Sequence, residues 1–315
     1  MQLTGIHHLT AISADAPGNF RFYTQVLGMR LVKKTVNQDD TSAYHLFYAD
    51  GEATPGSDIT FFEWPVAKAS RGTRSIVRTA LRVAGVDALH WWIDRFERHQ
   101  IAHSGVILRN NRAAIDFEDP EGQRLTLLDD EGRGAGVFWP GSPVPQPYQI
   151  RGLGPVTLSI PKLEQTNVVL RELLGMRLTG HFRDARIAAG DIHVYSMGEG
   201  GVAAELHVAM EPDAPIAREG AGAVHHVALR IPSFEEYDAW AQKLAEFRYP
   251  NSGPIDRYYF RSLYFRDPNG ILFELATDGP GFDIDEPMDA LGMQLSLPPF
   301  LEAKRAAIEK ALKPL

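Results

Sequence analysis

The sequence predicts an α+β protein of four similar modules, each a strand, a helix and further strands, arranged as two tandem halves. Three observations predict it. The first is an internal repeat. Leu27-Gly28-Met29-Arg30-Leu31 recurs 147 residues later as Leu174-Gly175-Met176-Arg177-Leu178. Asp119-Pro120-Glu121-Gly122 recurs 148 later as Asp267-Pro268-Asn269-Gly270, and Ala80-Leu81-Arg82-Val83 recurs at the same spacing as Ala228-Leu229-Arg230-Ile231. Three matches at offsets of 147 and 148 mark a duplication. The second is that each half divides again by the same strand and helix pattern. The third is size: 315 residues with 44% hydrophobic and 23% charged content suffice for two domains with cores of their own.

The modules span about residues 5–64, 76–130, 153–210 and 224–278. In the first, Asp15-Ala16-Pro17 opens a helix that Gly28 stops, Pro being favoured near a helix start and Gly just past its end. The second has a helix starting at Asp87, with Leu89, Trp92, Ile93 and Phe96 at helical spacing. The third has a helix ending at Gly175. In the fourth, Ser233-Phe234-Glu235-Glu236 reads as a capping box, the serine capping the third amide and the glutamate reaching back. Asp-Pro-Glu-Gly and Asp-Pro-Asn-Gly are turns before the last strands. The division expected is a domain at 1–138, a Pro-rich linker at 139–150, a domain at 151–280 and an extension at 281–315. The extension should carry an amphipathic helix from Pro298-Pro299 to about Leu312, capping the core.

Composition excludes several function classes. There is no cysteine, so disulfides, zinc-thiolate sites, iron–sulfur clusters and thiol nucleophiles are all absent. Any metal must sit on His and carboxylate. Net charge is −8 with no basic block, which argues against nucleic acid or an anionic membrane as partner. No apolar run approaches the ~18 residues of a membrane span. The start, Met1-Gln2-Leu3-Thr4-Gly5-Ile6, lacks a signal-peptide pattern, so a cytoplasmic protein is expected.

Four such modules resemble the vicinal-oxygen-chelate arrangement. That resemblance implies mixed sheets rolled into cups, with helices outside and a metal site inside. Alternation along each strand then tells which side chains face a cup. In Val224-His225-His226-Val227-Ala228-Leu229-Arg230-Ile231, His225 shares parity with Val227, Leu229 and Ile231, an apolar helix-packing face. His226 therefore faces the cup. The repeat aligns Val156, Leu158 and Ile160 with Leu9, Ala11 and Ser13, which puts His7 on the packing side and His8 in the cup. In Ile271-Leu272-Phe273-Glu274-Leu275, the core parity leaves Glu274 on the other side, where a buried carboxylate needs a partner. Two His and one carboxylate form the facial triad of Fe(II) oxygenases, and Mn(II) suits the same set. The duplicate positions are Pro155, Arg78 and Thr126, none of them a ligand at neutral pH. One site is kept and its copy lost.

The sequence also resembles ring-cleaving dioxygenases of the hydroquinone 1,2-dioxygenase type over nearly its whole length. The marks are Ile6-His7-His8-Leu9-Thr10, Tyr44-His45-Leu46-Phe47-Tyr48-Ala49-Asp50, Thr54-Pro55-Gly56, Trp91-Trp92-Ile93, His225-His226, Arg257, Tyr264, Phe273-Glu274 and Leu291-Gly292-Met293. The resemblance implies that His8, His226 and Glu274 bind Fe(II), so that modules one and four share a cup. It also implies that Tyr264, Arg257, Thr10, His7 and His225 surround the site. Parity agrees for Tyr264 but sets His7 and His225 on the helix-facing side. The substrates implied are a small aromatic diol and dioxygen, and the fold's habit of self-association suggests a homo-oligomer. Two rival functions use the same fold. A glyoxalase-type lyase or isomerase needs a fourth protein ligand, for which Glu63 is suitably placed. A non-catalytic binder of an aromatic or antibiotic would need no metal. His45, with the other scattered histidines, receives no role.

Overall fold

A computed structural model describes residues 1–184, 186 and 190–315. Module one comprises β1 (Ile6–Ser13), α1 (Ala16–Arg21), β2 (Arg30–Val36), β3 (Tyr44–Ala49) and β4 (Asp58–Glu63). Module two comprises β5 (Ser75–Val83), α2 (Gly85–Arg98), β6 (Ile107–Arg109), β7 (Arg112–Glu118) and β8 (Arg124–Asp129). Module three comprises β9 (Leu153–Ile160), α3 (Leu163–Val168), β10 (Arg177–Arg183), β11 (Asp191–Ser196) and β12 (Glu205–Met210). Module four comprises β13 (Val224–Ile231), α4 (Phe234–Glu246), β14 (Ile255–Asp256), β15 (Phe260–Arg266) and β16 (Leu272–Pro280). Each is βαβββ, and the class is α+β.

The helix ends follow local chemistry with two exceptions. Asp15 caps α1 by accepting from the Gly18 amide. The Leu-Gly-Met repeats end the first and third helical segments, with Gly28 and Gly175 both at φ +69°, a left-handed turn that glycine adopts without steric cost. α2 begins at Gly85, two residues before the expected Asp87, because Asp129 of β8 reaches over to accept from the Gly85 amide at 2.8 Å. Ser233 caps α4 as expected, but Glu236 does not close the box; its carboxylate takes the Gln2 amide instead. In the extension the expected single helix is a 3-10 turn over Pro299–Lys304 followed by α5 (Arg305–Ala311), which buries Ile308 against Val36, Leu297 and Leu301.

Strand pairing decides which modules meet. β1 pairs β13 antiparallel and β4 parallel, while β13 pairs β16 parallel. The run β2-β3-β4-β1-β13-β16-β15-β14 is therefore one curled sheet, made of modules one and four. Modules two and three form its sister, β10-β11-β12-β9-β5-β8-β7-β6. The two join where Val224 of β13 pairs Ile76 of β5. The apolar faces pack on the helices. Trp92, Leu89 and Phe96 of α2 and Trp240, Tyr237 and Leu244 of α4 are essentially inaccessible.

The extension is fastened to the first cup by charge. Lys33 of β2 is fully buried. Its ammonium donates to the Phe282 carbonyl at 3.0 Å, to Asp285 at 2.6 Å and to Glu286, and lies 4.9 Å from the Tyr259 ring. Arg30 donates to the Gly51 and Met288 carbonyls. Tyr259 completes the clasp through Asp285 at 2.9 Å. No helix among the described residues is long and apolar enough to cross a membrane.

Candidate metal centre

The first cup owes its polar centre to two β-bulges. Along the β1–β13 ladder, Ile6 pairs Leu229 and His8 pairs Ala228, so His7 is an extra residue on β1. Thr10 pairs His226 and Ala11 pairs Val224, so His225 is an extra residue on β13. A bulge breaks the two-residue alternation and re-aims the side chain beside it. This corrects the parity expectation for both residues. Neither His7 nor His225 turns to the helices. Instead each stands next to its neighbour, with His7 Nδ1 2.9 Å from His8 Nδ1 and His225 Nδ1 2.8 Å from His226 Nδ1. The sister cup has the same two irregularities, around Val77 on β5 and around Gly154-Pro155 on β9, so the device belongs to the duplicated fold.

Cross-strand register then lines up the site. Glu274 of β16 lies beside Ala228 of β13, which lies beside His8 of β1, while Tyr264 of β15 flanks Glu274 on the far side. Ala228 contributes only a methyl group, so nothing bulky stands between the carboxylate and the imidazole. The ligand atoms of His8, His226 and Glu274 lie within 4.8 Å of one another, and all three residues are buried. Glu274 Oε2 is 2.9 Å from His226 Nε2 and 3.1 Å from His8 Nε2. Close as they are, His226 Nε2 and Glu274 Oε2 have no partner in hydrogen-bond alignment. They cluster with His8 Nε2 instead, close enough for one ion to touch all three. A buried carboxylate and imidazole left in this state are costly alone and suit a divalent cation.

The surroundings tune these groups. Burial opposes ionisation of Glu274, but His8 and His226 beside it hold its carboxyl well below the usual carboxylate range. Ser262 donates to Glu274 Oε1, which leaves Oε2 for the cluster. Burial pushes the His226 imidazole down, with Glu274 opposing. His7 and His225 are each pushed down from 6.5 to about 3, first by burial and then by the adjoining histidine. Both are neutral at pH 7, each with one Nδ1 to share with a ligand histidine, an arrangement that fixes the ligand ring and its tautomer. The linkage sign follows. The unfolded chain takes up these protons near 6.5 and the folded chain only near 3, so the stability contributed is present above 6.5 and lost as pH falls toward 3. Urea midpoints of chelator-treated protein should decline from pH 7 to pH 4, and His225→Gln should make that decline shallower. An unchanged slope would remove His225 from the account.

The remaining expected residues face a small cavity of about 50 Å³ at the mouth of the cup. Tyr264, Arg257 and Thr10 line it together with His8 and His226. The Arg257 guanidinium lies 5.4 Å from the Tyr264 ring and pairs with Asp39 at 3.0 Å. Burial and the Glu274 carboxylate push the Tyr264 phenol up, with Arg257 opposing, so it stays a protonated donor at neutral pH. Residues not singled out in the sequence complete the wall: His45, Phe47, Phe62, Phe260 and the Asn37-Gln38-Asp39 corner. One signal could have found two of them. On β3 the core takes Tyr44, Leu46 and Tyr48, which leaves His45 and Phe47 on the cup side. Glu63 does not belong to the site. Its neighbour Phe62 takes the cavity face, 6.4 Å from the His226 ring, and Glu63 approaches Lys313 at 4.0 Å. Among the described residues, the triad alone brings three such ligand atoms together.

The sister cup is built for something else. Arg78, at the position of His226, donates to Thr126, at the position of Glu274, at 3.3 Å and pairs with Asp116 at 3.0 Å. Arg109 and Arg186 join the same carboxylate at 2.6 and 3.1 Å, and both also pair with Asp184. Guanidinium groups supply the positive charge there, held by carboxylates of the same chain.

Comparison with known proteins agrees with this geometry. The model of the Glyoxalase/Bleomycin resistance protein/Dioxygenase superfamily matches residues 5–127 and 152–275. A Bacillus subtilis (strain 168) protein named as a ring-cleaving dioxygenase, MhqA, is 49% identical over 317 residues, covering 100% of both chains. The chlorohydroquinone/hydroquinone 1,2-dioxygenase of Sphingobium indicum is 30% identical over 315 residues, covering 96% of this chain and 93% of that one. A crystal structure of a Bacillus subtilis protein named as a dioxygenase superposes with a TM-score of 0.91 at 33% identity, over 99% of this chain and 97% of that one.

Proposed function

Since the chain belongs to the Glyoxalase/Bleomycin resistance protein/Dioxygenase superfamily, we propose that it is a metal-dependent ring-cleaving dioxygenase acting on a hydroquinone- or catechol-type aromatic diol. The metal is Fe(II), for which Mn(II) could substitute in the same ligand set, held by His8, His226 and Glu274. One observation carries the reading: the ligand atoms of three buried residues gather within 4.8 Å, those of His226 and Glu274 without a hydrogen-bond partner, at the head of a cavity walled by Phe47, Phe62 and Phe260. The names of the relatives support it. The same reading divides the chain into domains at 1–138 and 151–280 around a Pro-rich linker, with an extension at 281–315. It places the protein in the cytoplasm as a homo-oligomer, with no nucleic-acid or membrane partner.

The chain's own residues divide the work. The phenylalanine rings hold the substrate ring by stacking and keep water away. His7 and His225 orient the ligand imidazoles so that both Nε2 atoms point inward. When bound, the metal supplies Lewis acidity that favours the phenolate form of the diol, and the electron exchange with dioxygen that ring opening requires. Tyr264, a neutral phenol in the wall, donates a hydrogen bond to oxygen developing charge at the ring, and Arg257 stabilises that charge from above the tyrosine. Thr10 is held by Thr60 at 2.8 Å and offers its hydroxyl at the same wall.

Dioxygen uptake by anaerobically Fe(II)-loaded protein, with a panel of hydroquinones and catechols, tests the reading. Uptake should require added metal and yield a ring-opened chromophore. Glu63→Ala should leave the rate within about twofold, because Glu63 lies off the cavity face. Loss of all uptake in Glu63→Ala, or turnover of a glutathione hemithioacetal in place of a diol, would favour the glyoxalase-type reading. Absence of turnover with tight aromatic binding in metal-free protein would favour a non-catalytic binder.

A further inference from the structure

We infer that His45 is a specificity-determining residue, which reads the second hydroxyl of a para-diol across the ring from the metal ligands. The inference rests on the ring-diol reading above and adds to it a residue with no assigned role.

Three features of the wall carry it. First, His45 belongs to β3, which stands two strands from β1 in the cup sheet. Two strand spacings are about 10 Å along the sheet, so His45 stands off from His8 along the cavity wall by about the reach of an aromatic ring with an oxygen at each end. Second, its ring is clamped. It lies 3.9 Å from the Phe47 ring and 4.4 Å from the Phe62 ring, centroid to centroid. Its Nε2 is 3.0 Å from Thr60 Oγ1, and Thr60 in turn is 2.8 Å from Thr10. Third, Nδ1 has no protein partner among the described residues, although His45 lines the cavity. The other rings of the wall beside the ligand histidines are Phe47, Phe62, Phe260, Tyr259 and Tyr264, and the Tyr259 hydroxyl is already taken by Asp285.

Chemistry says what the free nitrogen can do. Burial, reinforced by His8 and His226, pushes the His45 imidazole well down, so it is neutral at pH 7. A neutral imidazole has one donor and one acceptor nitrogen. With Nε2 committed to the Thr60 hydroxyl, Nδ1 presents the complementary role, and a phenolic hydroxyl satisfies either. An ortho-diol turns both oxygens to the metal end and leaves Nδ1 unpaired. A para-diol carries its second oxygen away from the metal end, along the wall. Sites that bond a substrate hydroxyl reject the analogue lacking it, because their own polar group is left buried and unpaired.

Anaerobic calorimetric titration of the Fe(II)-loaded protein with hydroquinone, catechol and phenol tests this. Wild type should bind hydroquinone about tenfold tighter than phenol, the worth of roughly one hydrogen bond. In His45→Phe the two should bind within about twofold of each other. His45→Asn, which keeps a polar group at the wall, and Thr60→Val, which frees the ring, should fall between and serve if the phenylalanine variant does not fold. Iron content and far-UV circular dichroism are checked in each. A hydroquinone-over-phenol preference that persists unchanged in the folded, iron-replete variants would overturn the role of His45. Failure of wild type to bind any of the three would overturn the ring-diol reading itself, and the inference with it.

Discussion

Glu274→Ala should abolish both metal retention and dioxygen uptake. Glu274 supplies the only negative charge of the triad, on a residue with no exposed surface. It is kept ionised by His8 and His226 against the pull of burial, and Ser262 sets which oxygen is free. Without it, two imidazoles remain, neither able to supply negative charge, and a divalent cation in a buried cup would have nothing to balance it. Loss of a mere outer-shell partner costs about 10–100-fold in affinity or activity, so about a hundredfold is a lower bound here. Metal analysis after desalting should show wild type near one ion per chain and the variant at background. Wild-type melting temperature should rise with added Fe(II) or Mn(II), as any ligand that binds only the folded state raises it, and the variant's should not. Glu274→Gln keeps the shape and the Ser262 contact, and should fail in the same way. Wild-type metal content in Glu274→Ala would mean that the ion sits elsewhere.

The second large effect lies in the cup without a metal. Asp116→Ala should destabilise the fold by about 3–5 kcal/mol, the range for removing one partner of a buried ion pair. Asp116 faces Arg78, Arg109 and Arg186 together, and also accepts from Thr126 at 2.7 Å. Arg109 is 6% exposed and Arg78 17%, so water cannot replace the lost carboxylate at either. At about 2–4 °C per kcal/mol, the melting temperature should drop by roughly 10 °C. Metal content and uptake per folded molecule should stay within about twofold of wild type, since the network belongs to the other sheet. A variant as stable as wild type would show that the arginines are solvated well enough to stand alone.

The sequence by itself determined the repeat, and with it the βαβββ order, because duplication leaves matched turns and helix stops that need no structure to be read. It also singled out the three residues that the fold brings together as the candidate triad. His226 and Glu274 stand out by two-residue alternation, and His8 by alignment with the second half. Such alternation is a local property of any strand with one buried face. The partnership of modules one and four was legible only through resemblance, since no residue pattern says which strands will pair. The tertiary structure decided the rest. Alternation failed at His7 and His225 because a bulge exists only in the register between two strands, here β1 and β13, over 200 residues apart in the chain. His45 and Phe62 joined the site because the sheet curls, bringing β3 and β4 round to face β13, a curvature that no single strand encodes. The lost copy of the site became an arginine–aspartate network for the same reason. Arg78 could be excluded as a ligand from its chemistry alone, but its partners Asp116 on β7 and Thr126 on β8 meet it only once those strands pair.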